Sequence, residues 1–166
     1  MTTKGSRFFL DFGFIRSSTF DFSRPNITTD RVVHSFDSYN SYLAIVDDTT
    51  RYIWVLLCMS KEPFIEVFSL FLKANGQPKD IGGLLRCDQG GELARSAEFC
   101  AKMLRDHNYK VEPTGADSAT QNGGVEHWND TLAVTVHALL YGALLKEKYW
   151  YDALIHAAYQ HNRRVH

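Results

Sequence analysis

The sequence is poor in several features that commonly announce a function. Its three cysteines, Cys58, Cys87 and Cys100, form an odd set with neither CxxC nor Cys/His finger spacing. That excludes a disulfide framework and gives no sign of a structural zinc site. They read as buried thiols in a reducing compartment. No run reaches the roughly 18 to 20 apolar residues of a bilayer span. The start "MTTKGSRFFL" has basic residues but no apolar targeting core. We therefore expect a soluble, intracellular protein with no membrane partner. Charge of one sign is also missing: 18 basic residues stand against 19 acidic ones, a formal net charge of -1. This excludes the whole-domain basic footprint that drives strong nonspecific nucleic-acid binding. Between Thr114 and Leu145 there is no Lys or Arg, while Asp117, Glu126 and Asp130 are acidic. Internal repeats and low-complexity tracts are absent.

What is present suffices for one folded unit. A chain of 166 residues, 45% hydrophobic and 13% aromatic, can bury a sizeable core as a single domain. "RFFLDFGFI" alternates Phe8, Leu10, Phe12 and Phe14 with Phe9, Asp11, Gly13 and Ile15. Both faces are mostly apolar, which predicts a central strand. The polar stretch from Arg16 to Asn40 reads as a long connection with one short strand. "SYLAIVDDTTRYIWVLLC" predicts a hairpin around "DDTT", and "KEPFIEVFSLFLKANG" an amphipathic helix with Pro63 in its first turn and Gly76 near its end. After the strand "GGLLRCD" we expect a helix over Glu92–Asp106, then the short strand "YKVEP". "TGADSATQNGG" reads as a loose loop before a helix with Val125, Trp128, Leu132, Val136 and Leu139 on one face and Gly142 as its stop. A last helix spans "KEKYWYDALIHAAYQHNRR". This order predicts an α/β layered domain, a mixed β-sheet flanked by helices.

Three acids stand out against that frame. Asp11 lies mid-strand on an otherwise apolar face, Asp88 ends a strand, and Glu126 lies in the first turns of a helix. Taken singly, each has an ordinary explanation: an edge position, turn chemistry before Gly90 and Gly91, or a favourable helix N-terminus. Two neighbouring strands and a helix packed on them can instead bring three carboxylates together, and such a trio is hard to keep ionised without a cation. Hard oxygen ligands suit Mg²⁺ or Mn²⁺, and paired ions can clamp both oxygens of a phosphoryl transfer. Asp47 and Asp48 belong to the "VDDTTR" hairpin and read as structural. His156 and His161 are poorly spaced as ligands on one helix.

The blocks "LDFGFI", "YLAIVDDTTRYIWVLLCMSK", "LRCDQGGEL", "SATQNGGVEHWNDTL" and "YWYDALIHAAYQHNR", in that order, resemble the catalytic core of retroviral-type integrases, nearest in kind to those of copia-type LTR retrotransposons. The resemblance covers nearly the whole chain. It implies a ribonuclease-H-like fold with Asp11, Asp88 and Glu126 as the catalytic, metal-holding triad, and Mg²⁺ or Mn²⁺ as cofactor. It implies nucleic-acid contacts from Gln121, Asn122 and Gly123 on the flexible loop, DNA ends and target DNA as partners, a homo-oligomer, and nuclear action. The implied reaction is DNA 3′-end processing and strand transfer. Residues 1–166 would form a single core domain, without the family's zinc-binding region before it or basic region after it.

The sequence also departs from the family. The gap between the second and third acids is slightly longer than usual, which an insertion in a mobile loop accommodates. Cys87 and Gln89 stand where serine and asparagine are preferred. More consequential is "EHWND", where His127, Trp128 and Asp130 replace an arginine and further basic residues. Asp130 lies one turn beyond Glu126, adding like charge where phosphates would approach. We therefore expect weak DNA binding, and the alternative is a decayed or co-opted fragment serving as a non-catalytic interaction module. A ribonuclease H reading ranks third, since that site normally uses an additional acid. Trp150, with Tyr149 and Tyr151, reads as helix packing before it reads as an aromatic interface.

Overall fold

The computed structural model describes residues 3–20, 28–60, 64–88, 92–114 and 119–163, with the side chains at 18–20, 28–30, 114 and 119–127 left outside that description. The chain runs β1 (Arg7–Gly13), β2 (Arg16–Phe20), β3 (Thr28–Val32), β4 (Ser41–Asp47), β5 (Ile53–Cys58), α1 (Ile65–Asn75), β6 (Gly83–Asp88), α2 (Glu92–Arg95), α3 (Ala97–His107), β7 (Tyr109–Thr114), α4 (Ala119–Gly142), a 3-10 turn (Glu147–Tyr149) and α5 (Trp150–Asn162). Five strands form a mixed sheet in the order β5-β4-β1-β6-β7. The β5-β4-β1 pairs are antiparallel, and β1-β6-β7 are parallel. Among the described residues no helix is long and apolar enough to cross a membrane.

β1 is central because both of its faces are apolar. Phe8 and Leu10 join a core with Leu43 and Ile45 of β4, Phe68 and Leu72 of α1, and Phe99 and Met103 of α3. Phe9 belongs to the opposite core, with Tyr42, Ala44 and Val46 of β4 beneath Leu132, Val136 and Leu140 of α4 and Leu154 and Ala158 of α5. The period-2 alternation of β4 thus feeds two helical layers from one strand, and every residue of it is buried. Across the α1–α3 seam, the His107 imidazole meets the Ser69 hydroxyl at 2.5 Å. Burial holds that imidazole below its ordinary range.

The β4–β5 hairpin turns on Asp47, which is fully buried. Its carboxylate accepts from the amides of Gly5 at 2.6 Å, Thr49 at 2.8 Å and Thr50 at 2.9 Å. A buried carboxylate so provided with donors is a turn-former that also ties down the segment before β1. Asp48 pairs with Arg7 and Arg51, each at 3.2 Å. The structural reading of both acids stands.

Several sequence expectations change. The connection after β1 is a hairpin of two strands, in register from Arg16↔Val32 to Phe20↔Thr28. β-branched Thr28, Thr29 and Val32 favour extension, and the base is pinned where the Val33 amide donates to the Ile15 carbonyl at 2.9 Å. The helix expected over Glu92–Asp106 is broken into α2 and α3. Ser96 between them is extended and accepts from the Phe99 amide, so it caps a new helix rather than continuing the first. The loose loop gives way from Ala119 onward, where α4 already takes in positions 121, 122 and 123. With its apolar stripe buried, extending the helix adds about one backbone hydrogen bond per residue. That offsets the roughly 1 kcal/mol cost of each glycine in a helix interior. On that stripe Leu140 is buried beside Leu132 and Val136, while Leu139 packs against the same core only partly buried. Pro63 and residues 115–118 lie outside the described residues.

Trp150 is fully buried and donates from Nε1 to the Val33 carbonyl at 2.9 Å, so it packs α5 onto the sheet. Asn162, at the other end of α5, brackets the backbone of Ile53 with bonds of 2.8 and 2.7 Å, closing the start of the β5 edge.

Gly13 is the cross-strand partner of Tyr42, and a Cβ there would lie 2.1 Å from Tyr42 Cζ. The buried ring has nowhere to retreat, so Gly13→Ala is expected to cost about 2 kcal/mol or more in urea unfolding. In a Tyr42→Leu background the same change should cost less than about 1 kcal/mol, a coupling read from the double-mutant cycle. Equal penalties in both backgrounds would show that the ring does not occupy this space.

Candidate catalytic carboxylate site

Leu10 of β1 pairs with Cys87 of β6 in parallel register. The next residues along the two strands are Asp11 and Asp88, side by side on strands about 4.8 Å apart in a regular sheet. Because Leu10 and Cys87 pack into the α1–α3 core, strand alternation directs Asp11 and Asp88 toward the other face. A cavity of about 200 Å³ opens at this carboxyl-terminal edge of the sheet, lined by Leu10, Asp11, Phe12, Cys87, Asp88, Glu92 and Leu93. The parallel pairing thus brings two of the three expected acids to one cavity. Asp11 is half-buried and Asp88 exposed.

α4 closes over Asp11. Asn129 Nδ2 donates to Asp11 Oδ2 at 2.5 Å, joining helix and strand by a side-chain bond. Glu126 lies three residues earlier in α4, but its side chain is outside the described residues, as are those of Gln121 and Asn122 and the surroundings of Gly123. Tyr42, opposite Gly13 and two residues from Asp11's own partner Ala44 on β4, lies near Asp11. Burial first, then the charges of Asp11 and Asp130, raise its phenol above the ordinary range, so it remains protonated. Asp130 is exposed, one position beyond the amide that holds Asp11.

The donor set suits a hard ion. Burial first, then Cys100 and Asp88, push the Cys87 thiol up to about 12. It therefore stays protonated at neutral pH, leaving carboxylate oxygens as the donors on the cavity wall. One or two carboxylates, with substrate phosphates, are the usual protein contribution to Mg²⁺ binding. Among the described residues, however, no three His, Cys, Asp or Glu side chains gather into a group that could hold an ion.

No family model matches the chain. Over 135 residues, 79% of the chain, it is 29% identical to the retrovirus-related Pol polyprotein from transposon TNT 1-94 of Nicotiana tabacum. The chain spans about a tenth of that polyprotein, 10% of its length. The HTLV-2 integrase catalytic core domain in complex with magnesium superposes in its dimeric form with a TM-score of 0.61 at 14% identity, covering 98% of this chain and 89% of that one. Its trimeric form gives 0.58 at 14% identity, covering 95% and 84%. A chain of the simian T-cell lymphotropic virus intasome in complex with PP2A regulatory subunit B56 gamma gives 0.67 at 14% identity, covering 98% of this chain and 50% of that one.

The chain has a retroviral-type integrase core fold. The resemblance to copia-type integrase cores read from the sequence blocks is upheld, and with it the ribonuclease-H-like, mixed-sheet fold class. Within this integrase-like core, three residues escaped the sequence reading. Glu92 shares the cavity with Asp11 and Asp88 because α2 begins just past β6. Asn129 was legible in principle, being one helical turn from Glu126. Tyr42 was hidden, since its place depends on the β1–β4 register.

The thiols report on which side of the cavity wall is closed. Burial also pushes Cys58 up to about 11, whereas Cys100 is more accessible, half-exposed on α3. Iodoacetamide at pH 8 should therefore label Cys100 well before Cys87 or Cys58, because only the thiolate reacts. Peptide mapping by mass spectrometry would check this, and Cys87 modified as fast as Cys100 would mean that β6 does not face the core as described.

Proposed function

We propose that this domain, residues 1–166, is the catalytic core of a retrotransposon integrase, a divalent-metal-dependent polynucleotidyl transferase that processes DNA 3′ ends and joins them to target DNA. The observation that carries the reading is the shared cavity of Asp11 and Asp88 on adjacent parallel strands, in a fold common to integrase cores, one of them in complex with magnesium. In this reading Asp11 and Asp88 hold the metal, with Glu126 of α4 as the third ligand by resemblance. Mg²⁺ or Mn²⁺ bound there would supply Lewis-acid polarisation of a phosphodiester and a more acidic water. The chain's part is to present oxygen ligands at one strand edge, to keep Tyr42 and Cys87 protonated beside them, and to offer DNA contacts from Gln121, Asn122 and Gly123 at the start of α4. We assign it DNA ends and target DNA as partners, a homo-oligomeric state as in the dimeric and trimeric relatives, and nuclear action.

One observation favours a second reading. α4 carries no Lys or Arg, and Asp130 is exposed near Asp11. That charge repels phosphates, as expected of a decayed or co-opted core that keeps its fold as an interaction module. A strand-transfer assay on branched DNA with Mn²⁺ separates the two. The enzyme reading expects joined product that disappears in Asp88→Asn; no product at any ion concentration would leave the module reading.

Metal binding has its own test. A ligand bound only by the folded state stabilises it, by about 2.7 kcal/mol at a hundredfold excess over Kd. Mg²⁺ or Mn²⁺ should therefore raise the melting temperature of the wild type, and Asp88→Asn should lose most of that rise. An equal rise in both proteins would place the ion elsewhere.

The charge argument can be inverted. His127→Arg with Asp130→Arg should tighten DNA binding at low salt and steepen its salt dependence by about two phosphate contacts. Unchanged affinity and slope, measured by fluorescence anisotropy, would remove α4 from the DNA-facing surface.

A further inference from the structure

β6 is interior to the sheet, yet only one of its faces is apolar. Leu85 and Cys87 join the α1–α3 core, and strand alternation turns Leu84, Arg86 and Asp88 the other way. On β7, Tyr109 and Val111 pack with that same core, so Lys110 and Glu112 share the opposite face with Arg86 and Asp88. The core under α4 and α5 draws on β1, β4 and β5, and among the described residues nothing of β6 or β7 enters it. Parallel strands are ordinarily covered and apolar on both sides. Here the second side is open and charged: the side chains of Arg86, Glu112 and Lys110 are 22%, 32% and 69% exposed.

Register sets Arg86 beside Glu112 and Leu84 beside Lys110. Glu112 holds both cations at long range, its Oε2 3.7 Å from Arg86 Nε and its Oε1 3.5 Å from Lys110 Nζ. At 3.7 Å the short two-pronged fork of an arginine on a carboxylate is not made. Arg86 also stands two residues before Asp88 on one strand and one face, about 7 Å from it, and Lys110, level with Leu84, carries the row to about 13 Å. We propose that this open β6–β7 face is a DNA-docking surface, on which Arg86 and Lys110 take two phosphates of a strand led into the carboxylate cavity. Glu112 stands in for phosphate until DNA displaces it. The inference rests on the reading of Asp11 and Asp88 as a DNA-processing centre, and it supplies from the sheet the cations that α4 lacks. Charge selects the occupant: arginine matches phosphate with its planar fork and lysine as a point charge.

Fluorescence anisotropy with a labelled branched DNA in Mg²⁺, on the whole chain, tests the surface through substitutions of opposite sign. Arg86→Gln and Lys110→Gln should each lower the salt slope by about one phosphate contact, so that the affinity lost between about 50 and 200 mM salt shrinks about threefold. Glu112→Gln should instead tighten binding, because it removes the stand-in. Partly exposed ion pairs add little to stability, so all three should melt near the wild-type temperature. Arg105→Gln, in α3 on the far side of the sheet, removes the same charge as a control. Wild-type slopes in Arg86→Gln and Lys110→Gln overturn the proposal, as does an equal loss in Arg105→Gln or weaker binding in Glu112→Gln. A wild type that does not bind DNA overturns it too. Should Arg86→Gln not fold, Lys110→Gln and Glu112→Gln decide by the same readout. The strand-transfer assay separates the two readings. Altered slopes without joined product sink the enzyme reading and leave the docking surface standing; joined product with unaltered slopes sinks this inference alone.

Discussion

The parallel register of β1 on β6 is the constraint on which the cavity depends. Leu10 opposite Cys87 puts both side chains into the α1–α3 core and turns the next two positions, Asp11 and Asp88, to the opposite face. Because side chains alternate with a period of two, slipping β6 by one residue would drive Asp88 into the apolar layer and turn Cys87 out. A buried unpaired carboxylate costs far more than an exposed thiol gains. The hydrophobic pattern of the strands therefore selects the register, and the register delivers the acids as a pair.

The two helical layers then treat this edge differently. On the α1–α3 side, Leu93, Phe99 and Met103 seal the back of β6 with apolar surface, which keeps the Cys87 thiol protonated and inert. On the α4–α5 side, the amide of Asn129 and the phenol of Tyr42 stand near Asp11, both neutral at physiological pH. Negative charge at the edge thus meets neutral groups directly beside Asp11, while Glu92 and exposed Asp130 add more charge of the same sign. A cation is the natural complement to such an edge, and a phosphate without one is repelled. This explains how an integrase-core fold can present its carboxylates while the helix beside them lacks cations.

The inserted hairpin of β2 and β3 leaves from the end of β1 and returns at Val33, whose carbonyl receives the Trp150 indole. It lengthens the connection between the first two long strands without disturbing their pairing, because Ile15 and Val33 close its base within the core. Loop-closure entropy grows slowly with length, so such an insertion costs little once its ends are fixed.

Periodicity in the sequence by itself determined that β1 is central, that β4 and β5 form a hairpin turning on "DDTT", and that α1, α4 and α5 exist, since these are local patterns of apolar spacing. It also marked Asp11 and Asp88, because an acid inside or ending an apolar strand is conspicuous without any knowledge of its neighbours. Tertiary structure alone decided which side chains meet them: Asn129 through the packing of α4 over β1, Tyr42 through the β1–β4 register, and Glu92 through the start of α2 just past β6. Those contacts depend on register and on helix placement. Both are set by the burial of residues far along the chain, which no local pattern records.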